Sequence, residues 1–507
     1  YTEQAAGLEQ AGVDLYVIET MMTLTDARAA VLAIRSMSKK PILVSFTCDE
    51  SGKILSGTDV VAALSVMEGM GVSAFGLNCS AGPEQMLPQL QRLHKYARVP
   101  LIAKPNAGMP EIVNGEAVYN CPPEEFAALV PEMVKAGVAL FGGCCGTTPE
   151  HIRKMTHRLA GRPVPVHGNP TQRALTSERA SLTFDLDGPF LIVGERINPT
   201  GKKKLQQELR EGSFELVTQF AQEQEERGAS ILDVNMGMSG IDEKAMMLQA
   251  LEEVAGVTKL PLSIDSSHVD VQEEALRRYP GRALINSISL ESEKFEKLLP
   301  LAKKYGAMFV LLPLSDEGLP KNLNEKISII EKIVARALEL GMKKTDIIVD
   351  GLVATVGANK QAALETLETI RYCHRNGLAT TCGLSNISFG LPERSCVNSA
   401  FLTMAIASGL TMAIANPSQD ILVGAAFASD LLLNKEDSDI RYIEFSGQAK
   451  ERREEADAKK EALLRQSLQA SEGSTVTANQ TGNTQVQDGA ARQKAAGAKT
   501  PQQQSAE

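Results

Sequence analysis

Short apolar segments alternate with helical segments along most of this chain, and that alternation is the feature that most limits its fold. It favours βα units, in which parallel strands form a sheet and the connecting helices cover it. The expected strands fall into two series, separated by a stretch at 161–188 that is rich in Pro, Gly, Ser and charge and that we interpret as a linker. A chain of 507 residues with 43% apolar residues can bury two such cores.

The first series predicts an incomplete (β/α)₈ barrel. Its strands are expected at 15–18, 42–46, 74–78, 101–104 and 139–142. A barrel of this type needs eight βα units. We therefore assign 1–160 to a partial barrel and expect that the chain is cut at its N-terminus, so that roughly the first three units are missing.

The second series predicts a complete TIM-type barrel over 189–440. Its strands are expected at 191–196, 231–236, 261–265, 283–288, 308–314, 346–350, 380–385 and 412–416. Eight strands with intervening helices are the number that closes such a barrel. Within the remaining residues, 441–507, a charged helix is expected at 446–468, followed by a disordered tail at 469–507 that is poor in large apolar residues.

Charge and hydropathy favour small-molecule chemistry. The formal net charge of −10 gives no general attraction to nucleic acid or to anionic lipid. The sequence contains no run of eighteen apolar residues and does not begin with a basic and then apolar leader. We expect a cytoplasmic protein without nucleic-acid or membrane partners.

Three cysteines follow predicted strands of the first series. Cys79 comes directly after 74–78, and Cys144 and Cys145 come soon after 139–142. In a βα barrel these strand ends meet at the catalytic face. Three thiolates can hold Zn²⁺ and leave a fourth position open for a substrate thiol. Spacing alone leaves open the alternative that these cysteines are small buried hydrophobic residues.

The sequence around these cysteines resembles a known signature. Gly76-Leu77-Asn78-Cys79 and the run Gly-Gly-Cys-Cys-Gly-Thr-Thr-Pro-Glu-His-Ile at 142–152 resemble the zinc-binding motifs of the homocysteine S-methyltransferase family, a family of (β/α)₈ barrels. The resemblance implies zinc bound by Cys79, Cys144 and Cys145. It also implies that Glu19 contacts homocysteine, where a carboxylate can receive the substrate ammonium. His151, in the same motif, is expected on a helical surface and not as a ligand.

The second series has a denser set of polar residues at its strand ends. Asp and Asn side chains can pair with the N–H, amino, carbonyl and ring-nitrogen groups of an aminopyrimidinone ring. Any one of these residues could instead cap a helix or turn the chain. The set comprises Glu195, Asn198, Asp233, Asn235, Asp265, Asn286, Asp350, Asn386 and Asn416.

Over nearly all of 190–420 these motifs resemble the pterin-binding domains of cobalamin-dependent methionine synthases and of methyltetrahydrofolate:corrinoid protein methyltransferases. Dihydropteroate synthases share the fold but should carry a basic residue where Asn386 stands. We expect Asn386 to be catalytic, through a hydrogen bond to N5 of the folate as that atom gains a proton. The pterin contacts implied are Glu195, Asn198, Asp265, Asn286, Asp350, Asn386 and Arg394.

Together the two resemblances imply methyl transfer from 5-methyltetrahydrofolate via cobalamin to zinc-activated homocysteine, giving methionine and tetrahydrofolate. None of the six histidines lies in an Asp-x-His-x-x-Gly motif for a lower cobalt ligand. Cobalamin is therefore expected on a module or corrinoid protein outside this chain. Two alternatives stay open, namely a methyltetrahydrofolate:corrinoid protein methyltransferase with a vestigial first barrel, and a non-catalytic folate- or zinc-binding remnant.

Overall fold

The computed structural model describes residues 1–79, 82–166 and 170–476, with side chains described as far as residue 462. Tyr1–Ile443 form one compact unit, and Glu444–Glu507 are a second unit. Among the described residues, no helix is both long and apolar enough to cross a membrane.

The strands of the compact unit are, in chain order, β1 Tyr16–Met21, β2 Ile42–Phe46, β3 Ala74–Asn78, β4 Leu101–Lys104, β5 Pro110–Val113, β6 Glu116–Tyr119, β7 Val138–Phe141, β8 Arg173–Thr176, β9 Ser181–Phe184, β10 Leu191–Ile197, β11 Ile231–Asn235, β12 Leu262–Asp265, β13 Leu284–Leu290, β14 Met308–Ser315, β15 Ile347–Asp350, β16 Ala379–Thr381 and β17 Met412–Ala415.

The helices are α1 Thr2–Gln10, α2 Leu24–Arg35, α3 Val60–Gly69, α4 Pro83–His94, α5 Pro123–Ala128, α6 Val130–Lys135, α7 Pro149–Leu159, α8 Lys203–Arg210, α9 Glu215–Glu226, α10 Glu243–Val257, α11 Val269–Arg278, α12 Ser292–Tyr305, α13 Leu323–Glu339, α14 Ala362–Arg375, α15 Arg394–Ala407, α16 Asp420–Leu432 and α17 Ser438–Val476. Two short 3₁₀ helices are η1 Lys344–Asp346 and η2 Leu384–Ser388.

The first part of the chain forms a five-stranded parallel sheet in the order β1-β2-β3-β4-β7. All five strands lie where the sequence predicts them. Helices such as α2 pack their apolar residues against the sheet, and the Thr23 side chain caps α2 by accepting a hydrogen bond from the Asp26 amide. The sheet ends at β1 and β7, so this part of the fold is an open partial barrel.

The second part is an eight-stranded parallel sheet in the order β16-β15-β14-β13-β12-β11-β10-β17. A parallel bridge between Gly383 and Ile414 joins its two ends, and the Ile414 amide donates to the Cys382 carbonyl at 2.9 Å. The sheet therefore closes as a (β/α)₈ barrel, which confirms the predicted α/β fold class. The closure brings the carboxyl ends of all eight strands to one rim.

The segment predicted as a linker contains an antiparallel hairpin, β8–β9. Leu175 and Phe184 of this hairpin are buried, and they pack with barrel residues such as Leu191 and Met308 near the amino ends of the strands. The hairpin therefore covers the end of the barrel opposite the polar rim. Its strands are only four residues long, and the Pro, Ser and charged residues around them hide the apolar positions in the sequence.

The open sheet packs directly against the closed barrel. Arg28 of α2 is 3% exposed, and its guanidinium donates to the Tyr279 carbonyl and, at 2.8 Å, to the Leu276 carbonyl at the end of α11. A Cβ placed on Gly69 would lie 2.6 Å from the Gly306 carbonyl oxygen, so α3 and the end of α12 meet backbone to backbone. Glycine is required on both sides of that contact.

The charged helix predicted at 446–468 lies within α17, which continues to Val476. The first residues of the segment predicted to be disordered are thus helical, and its remainder, 477–507, lies outside the described residues.

Candidate functional sites

The sulfur atoms of Cys79, Cys144 and Cys145 lie within 4.8 Å of one another. The Cys79 and Cys145 sulfurs are 3.9 Å apart, and those of Cys144 and Cys145 are 4.0 Å apart. A tetrahedral zinc site with Zn–S bonds of about 2.3 Å places its sulfurs about 3.8 Å apart. The three thiols therefore fit Zn²⁺ with little rearrangement. Burial, and next the charge of Cys79, raise the pKa of the Cys144 thiol, as expected where thiols lie close together.

Backbone contacts of the loops after β3 and β7 hold these cysteines in place. The Cys79 amide donates to the Lys104 carbonyl at 3.1 Å, and the Cys144 amide donates to the Pro105 carbonyl at 2.9 Å. The Cys145 amide donates at 3.1 Å to the side chain of Asn106, which is itself buried. The segment after β4 thus aligns the two cysteine loops.

Asn78 connects this cluster to the neighbouring strands. Its side chain is fully buried, and its Oδ1 accepts hydrogen bonds from the Thr20 amide at 3.0 Å and from the Ser45 hydroxyl at 2.8 Å. Its Nδ2 donates to the Thr20 hydroxyl at 2.7 Å and lies 3.9 Å from the Cys144 sulfur. Asn78 stood in the motif around Cys79, but sequence reasoning gave it no role.

Glu19 lies on the edge strand β1 and forms an ion pair with Lys104, the last residue of β4. A substrate ammonium would therefore bind the Glu19 carboxylate together with Lys104 or in its place. Tyr119 of the β5–β6 hairpin hydrogen-bonds to Cys145, and burial raises the pKa of its phenol. Sequence reasoning gave no role to Lys104 or Tyr119, because no sequence pattern marks either residue and their proximity to the site appears only in the folded structure.

The expectation that His151 lies on a helical surface is wrong. His151 is 6% exposed, its Nε2 lies 2.9 Å from the Cys121 carbonyl, and its Nδ1 accepts from the Thr148 amide at 3.1 Å. Its ring also packs edge-on against Phe126. Both ring nitrogens are thus engaged in fixing the start of α7, which follows the cysteine loop.

In the barrel, one cluster of predicted residues is held by direct contacts. Asn235 Nδ2 donates to Asp265 Oδ2 at 2.9 Å, and Asn286 Nδ2 donates to Asp233 Oδ1 at 3.1 Å. The Ser263 hydroxyl also donates to Asp233 Oδ1, at 2.6 Å. Parallel registers that pair Asn235 with Asp265 and Asp265 with Asn286 bring these side chains together at the rim.

Burial affects the two carboxyl groups of this cluster unequally. Burial, and next the charge of Asp265, raise the pKa of Asp233 to about 8. Burial also raises the pKa of Asp265, but the hydrogen bonds from Asn235 and Asp233 oppose that rise. Asp233 is the deeper group, so it holds the proton at neutral pH and Asp265 is the carboxylate. The sequence showed Asp233 at a strand end but gave no sign of this difference.

Asp350 supplies a third carboxyl group, at the end of β15. Burial raises its pKa to about 6, while the nearby Lys326 acts in the opposite direction. Its Oδ1 accepts from the Leu352 amide at 2.7 Å. Lys326 is itself buried and donates to the Gly351 carbonyl at 3.2 Å, so the ammonium lies beside this strand end.

Glu195 and Asn198 lie at the end of β10. Burial raises the pKa of Glu195, and the charges of Lys202 and Arg394 lower it. Asn198 Oδ1 accepts from the Thr200 amide at 2.9 Å. This side chain therefore stabilises a turn, which was the alternative to ligand binding that the sequence left open. Its amide nitrogen has no partner among the described residues, which leaves it able to donate to a ligand.

Asn386 lies on η2 with an exposed side chain. Arg394 is directed at the same short helix, since its Nη2 donates to the Ser385 carbonyl at 2.7 Å and its Nε to the Ser388 hydroxyl at 3.1 Å. Arg394 therefore positions the segment that carries Asn386. Among the described residues, no hydrogen bond or ion pair joins Asn386, Asp350 or Glu195 to the Asp233–Asp265 cluster, although all belong to the same rim of the barrel.

Comparison with known proteins assigns both parts of the chain. Residues 1–159 match the homocysteine S-methyltransferase family, and residues 194–416 match the pterin-binding enzymes. The chain therefore contains one region similar to each family.

Similar proteins include two mycobacterial methionine synthases. The chain is 32% identical to methionine synthase of Mycobacterium tuberculosis over 439 residues and 32% identical to that of Mycobacterium leprae over 444 residues. In both comparisons 83% of the chain is aligned, and the chain spans 37% of the relative's length. Among solved structures, dihydropteroate synthase (FolP) from Thermus thermophilus matches 51% of the chain and 100% of its own length, with 22% identity and a TM-score of 0.40.

Proposed function

We propose that this chain provides the two substrate-binding parts of a cytoplasmic methyl transfer from 5-methyltetrahydrofolate to homocysteine, giving methionine and tetrahydrofolate. The carrier between them is cobalamin, held by a module or corrinoid protein outside this chain. The observation that carries the proposal is the convergence of three thiol sulfurs within 4.8 Å in a chain that also has a polar barrel rim. The similarity to methionine synthases supports the pairing of these two sites.

On the homocysteine side, Cys79, Cys144 and Cys145 would hold zinc and leave one position for the substrate sulfur. Zinc, when bound, stabilises a thiolate at neutral pH. Asn78 keeps the cysteine loops aligned with β1, while Glu19 receives the substrate ammonium in exchange for part of its contact with Lys104. By binding the ammonium group of homocysteine, the protein would orient the substrate sulfur towards the zinc site.

On the folate side, the Asp265 carboxylate would accept the N–H and amino edge of the pterin, and Asn286 and Asp350 would bind its other polar atoms. Protonation of Asp233 keeps the buried cluster at one negative charge. That state avoids two adjacent carboxylates and still presents an acceptor to the ligand.

Asn386 would hydrogen-bond to N5, the atom from which the methyl group leaves. An amine leaves poorly unless it gains a proton or a strong hydrogen bond as the bond breaks. The Asn386 side chain is exposed and has no hydrogen-bond partner among the described residues, so it is free to make that contact. Arg394 holds η2 and thereby positions Asn386.

The decisive experiment measures methyl transfer from 5-methyltetrahydrofolate to added cob(I)alamin, together with the zinc content of the purified chain. We expect transfer and about one zinc per chain. A Cys144→Ser, Cys145→Ser double variant should lose zinc and homocysteine-dependent turnover but keep transfer to cob(I)alamin. Cys396→Ser, at an exposed cysteine of the barrel, is the matched control and should keep both.

One observation favours the alternative with a vestigial first barrel. The Glu19 carboxylate, which would receive the substrate ammonium, is already paired with Lys104. That alternative requires transfer to cob(I)alamin with no homocysteine-dependent turnover even when zinc is fully bound. Absence of transfer in a folded, folate-binding protein would leave only the non-catalytic remnant.

A further inference from the structure

A small pocket lies where three parts of the compact unit meet: α3 and the segment after α4 in the open sheet, the β8–β9 hairpin, and the amino-terminal side of the barrel around η1. Its volume is about 80 Å³, which is room for several water molecules or one small polyatomic ion. Arg282 and Asp346 line it just before β13 and β15 begin. The pocket is therefore at the opposite end of the barrel from the polar rim.

The pocket is strongly cationic. Its acidic side chains are Glu68 and Asp346, and among the described ion pairs only that of Arg282 Nη2 with Asp346 Oδ1, at 2.8 Å, lies within it. An excess of three positive charges remains in a partly buried space, where like charges repel and a bound anion would offset them. The cations are Arg98, Arg173, Arg282, Lys303 and Lys343.

Arg173 supplies a buried donor that the protein leaves unused. It is 2% exposed, and its terminal nitrogens donate to the Gly377 carbonyl at 2.8 Å and the Thr171 carbonyl at 3.3 Å. Its Nε has no hydrogen-bond partner in the described part of the chain. A buried N–H of a charged group is costly to leave unpaired, so a ligand acceptor at this position is favoured.

The two acids of the pocket are already engaged by backbone groups. Glu68 Oε1 accepts from the amides of Arg98 at 2.6 Å and Val99 at 3.2 Å, and Asp346 Oδ2 accepts from the Lys343 amide at 2.8 Å. Burial lowers the pKa of Arg98 and of Lys343, and the next largest cause is a neighbouring cation in each case, Arg282 for Arg98 and Arg98 for Lys343. Glu68 and Asp346 act in the opposite direction on both groups, so the acids offset part of the repulsion among the cations.

We propose that this pocket binds a tetrahedral oxyanion of the phosphate type, with Arg98, Arg173 and Lys343 as its charged contacts. Because these residues come from the open sheet, the hairpin and the barrel, the anion joins all three parts. Binding would therefore stabilise the packing of the open sheet on the barrel, independently of either substrate site.

The test uses calorimetric titration and thermal unfolding of the full chain with inorganic phosphate, at ionic strength held constant with sodium chloride. We expect one site and a rise in Tm of about 1–2 °C at ten times Kd, above any effect of chloride. A parallel titration with AMP distinguishes a free ion from the phosphate end of a larger metabolite. Tighter binding of AMP assigns the pocket to phosphate monoesters, and weaker binding assigns it to the free ion.

Lys343→Met should weaken phosphate binding by about tenfold, because it removes one charge-assisted contact at an exposed position of the pocket. Lys297→Met, an equal change of charge on the exposed side of α12, should bind as the wild type does. Arg173→Met should abolish phosphate binding. If the Arg173→Met variant does not fold, the Lys343→Met variant provides the test. Equal phosphate affinity in wild type and Lys343→Met, or no saturable binding to the wild type, would overturn the proposal.

Discussion

Asp233→Asn tests the assignment of the proton to Asp233 directly. Asparagine has the shape of a protonated aspartic acid, so its Oδ1 can still accept from Ser263 and Asn286 and its amide can donate to the neighbouring Asp265 carboxylate. Burial raises the pKa of Asp233 from 3.8 to about 8 in the native chain. A native pKa above the unfolded value gives stability that is fully present below the unfolded pKa and is lost as pH rises towards the native pKa.

The size of the effect follows from the pH range between the unfolded and native pKa values of Asp233. Each pH unit between the two pKa values changes the free energy of unfolding by about 1.4 kcal/mol, so Asp233 accounts for a loss of about 2.7 kcal/mol between pH 5 and pH 7. Asparagine has no proton to lose at this position. Between pH 5 and pH 7, the free energy of unfolding of the variant should therefore rise relative to that of wild type by the same amount. Urea unfolding at pH 5, 6 and 7 and constant ionic strength measures the difference, with Glu293→Gln as the control for charge at an exposed position. Parallel curves for wild type and Asp233→Asn would show that native Asp233 is ionised and that the reasoning fails.

Three further predictions concern the barrel. Asp265→Asn should mainly weaken folate binding, because it removes the carboxylate from the cluster, and titration calorimetry measures that loss. Asn386→Ala should mainly slow single-turnover transfer to cob(I)alamin at saturating folate, by roughly one to two orders of magnitude; an unchanged rate with weaker binding would make Asn386 only a ring contact. Leu175→Ala should lower the free energy of unfolding by about 2–4 kcal/mol, since the side chain is fully buried under the barrel, and a loss below about 0.5 kcal/mol would show that the hairpin is not part of the cooperative core.

The strands and the positions of the polar rim could be predicted because both follow from local pattern. Buried parallel strands are short apolar runs, and the residues after them reach one end of the barrel whatever their partners are. Cys79 and Asp265 were identified for this reason. Family motifs added the link between Cys79 and the distant pair Cys144 and Cys145, which spacing alone left open.

Contacts between distant segments could not be predicted. Sequence does not show that Lys104 reaches Glu19, or that Asp233 is buried more deeply than Asp265, because each depends on packing across strands. The β8–β9 hairpin was missed for a related reason, since its few apolar residues become informative only when the open end of the barrel is beneath them. His151 was predicted to be exposed because it is polar, whereas both of its ring nitrogens have hydrogen-bond partners inside the protein.

The backbone contact between Gly69 and Gly306 has a consequence for how a methyl carrier must work. At this contact the backbones of α3 and the end of α12 touch with no side chain between them, and the buried Arg28 guanidinium donates to carbonyls at the end of α11, so the open sheet is closely packed on the barrel here. Under the proposed function, the thiol cluster and the pterin rim therefore belong to one compact unit. The cobalamin carrier, whether it is a linked module or a separate corrinoid protein, must then reach the two sites in turn.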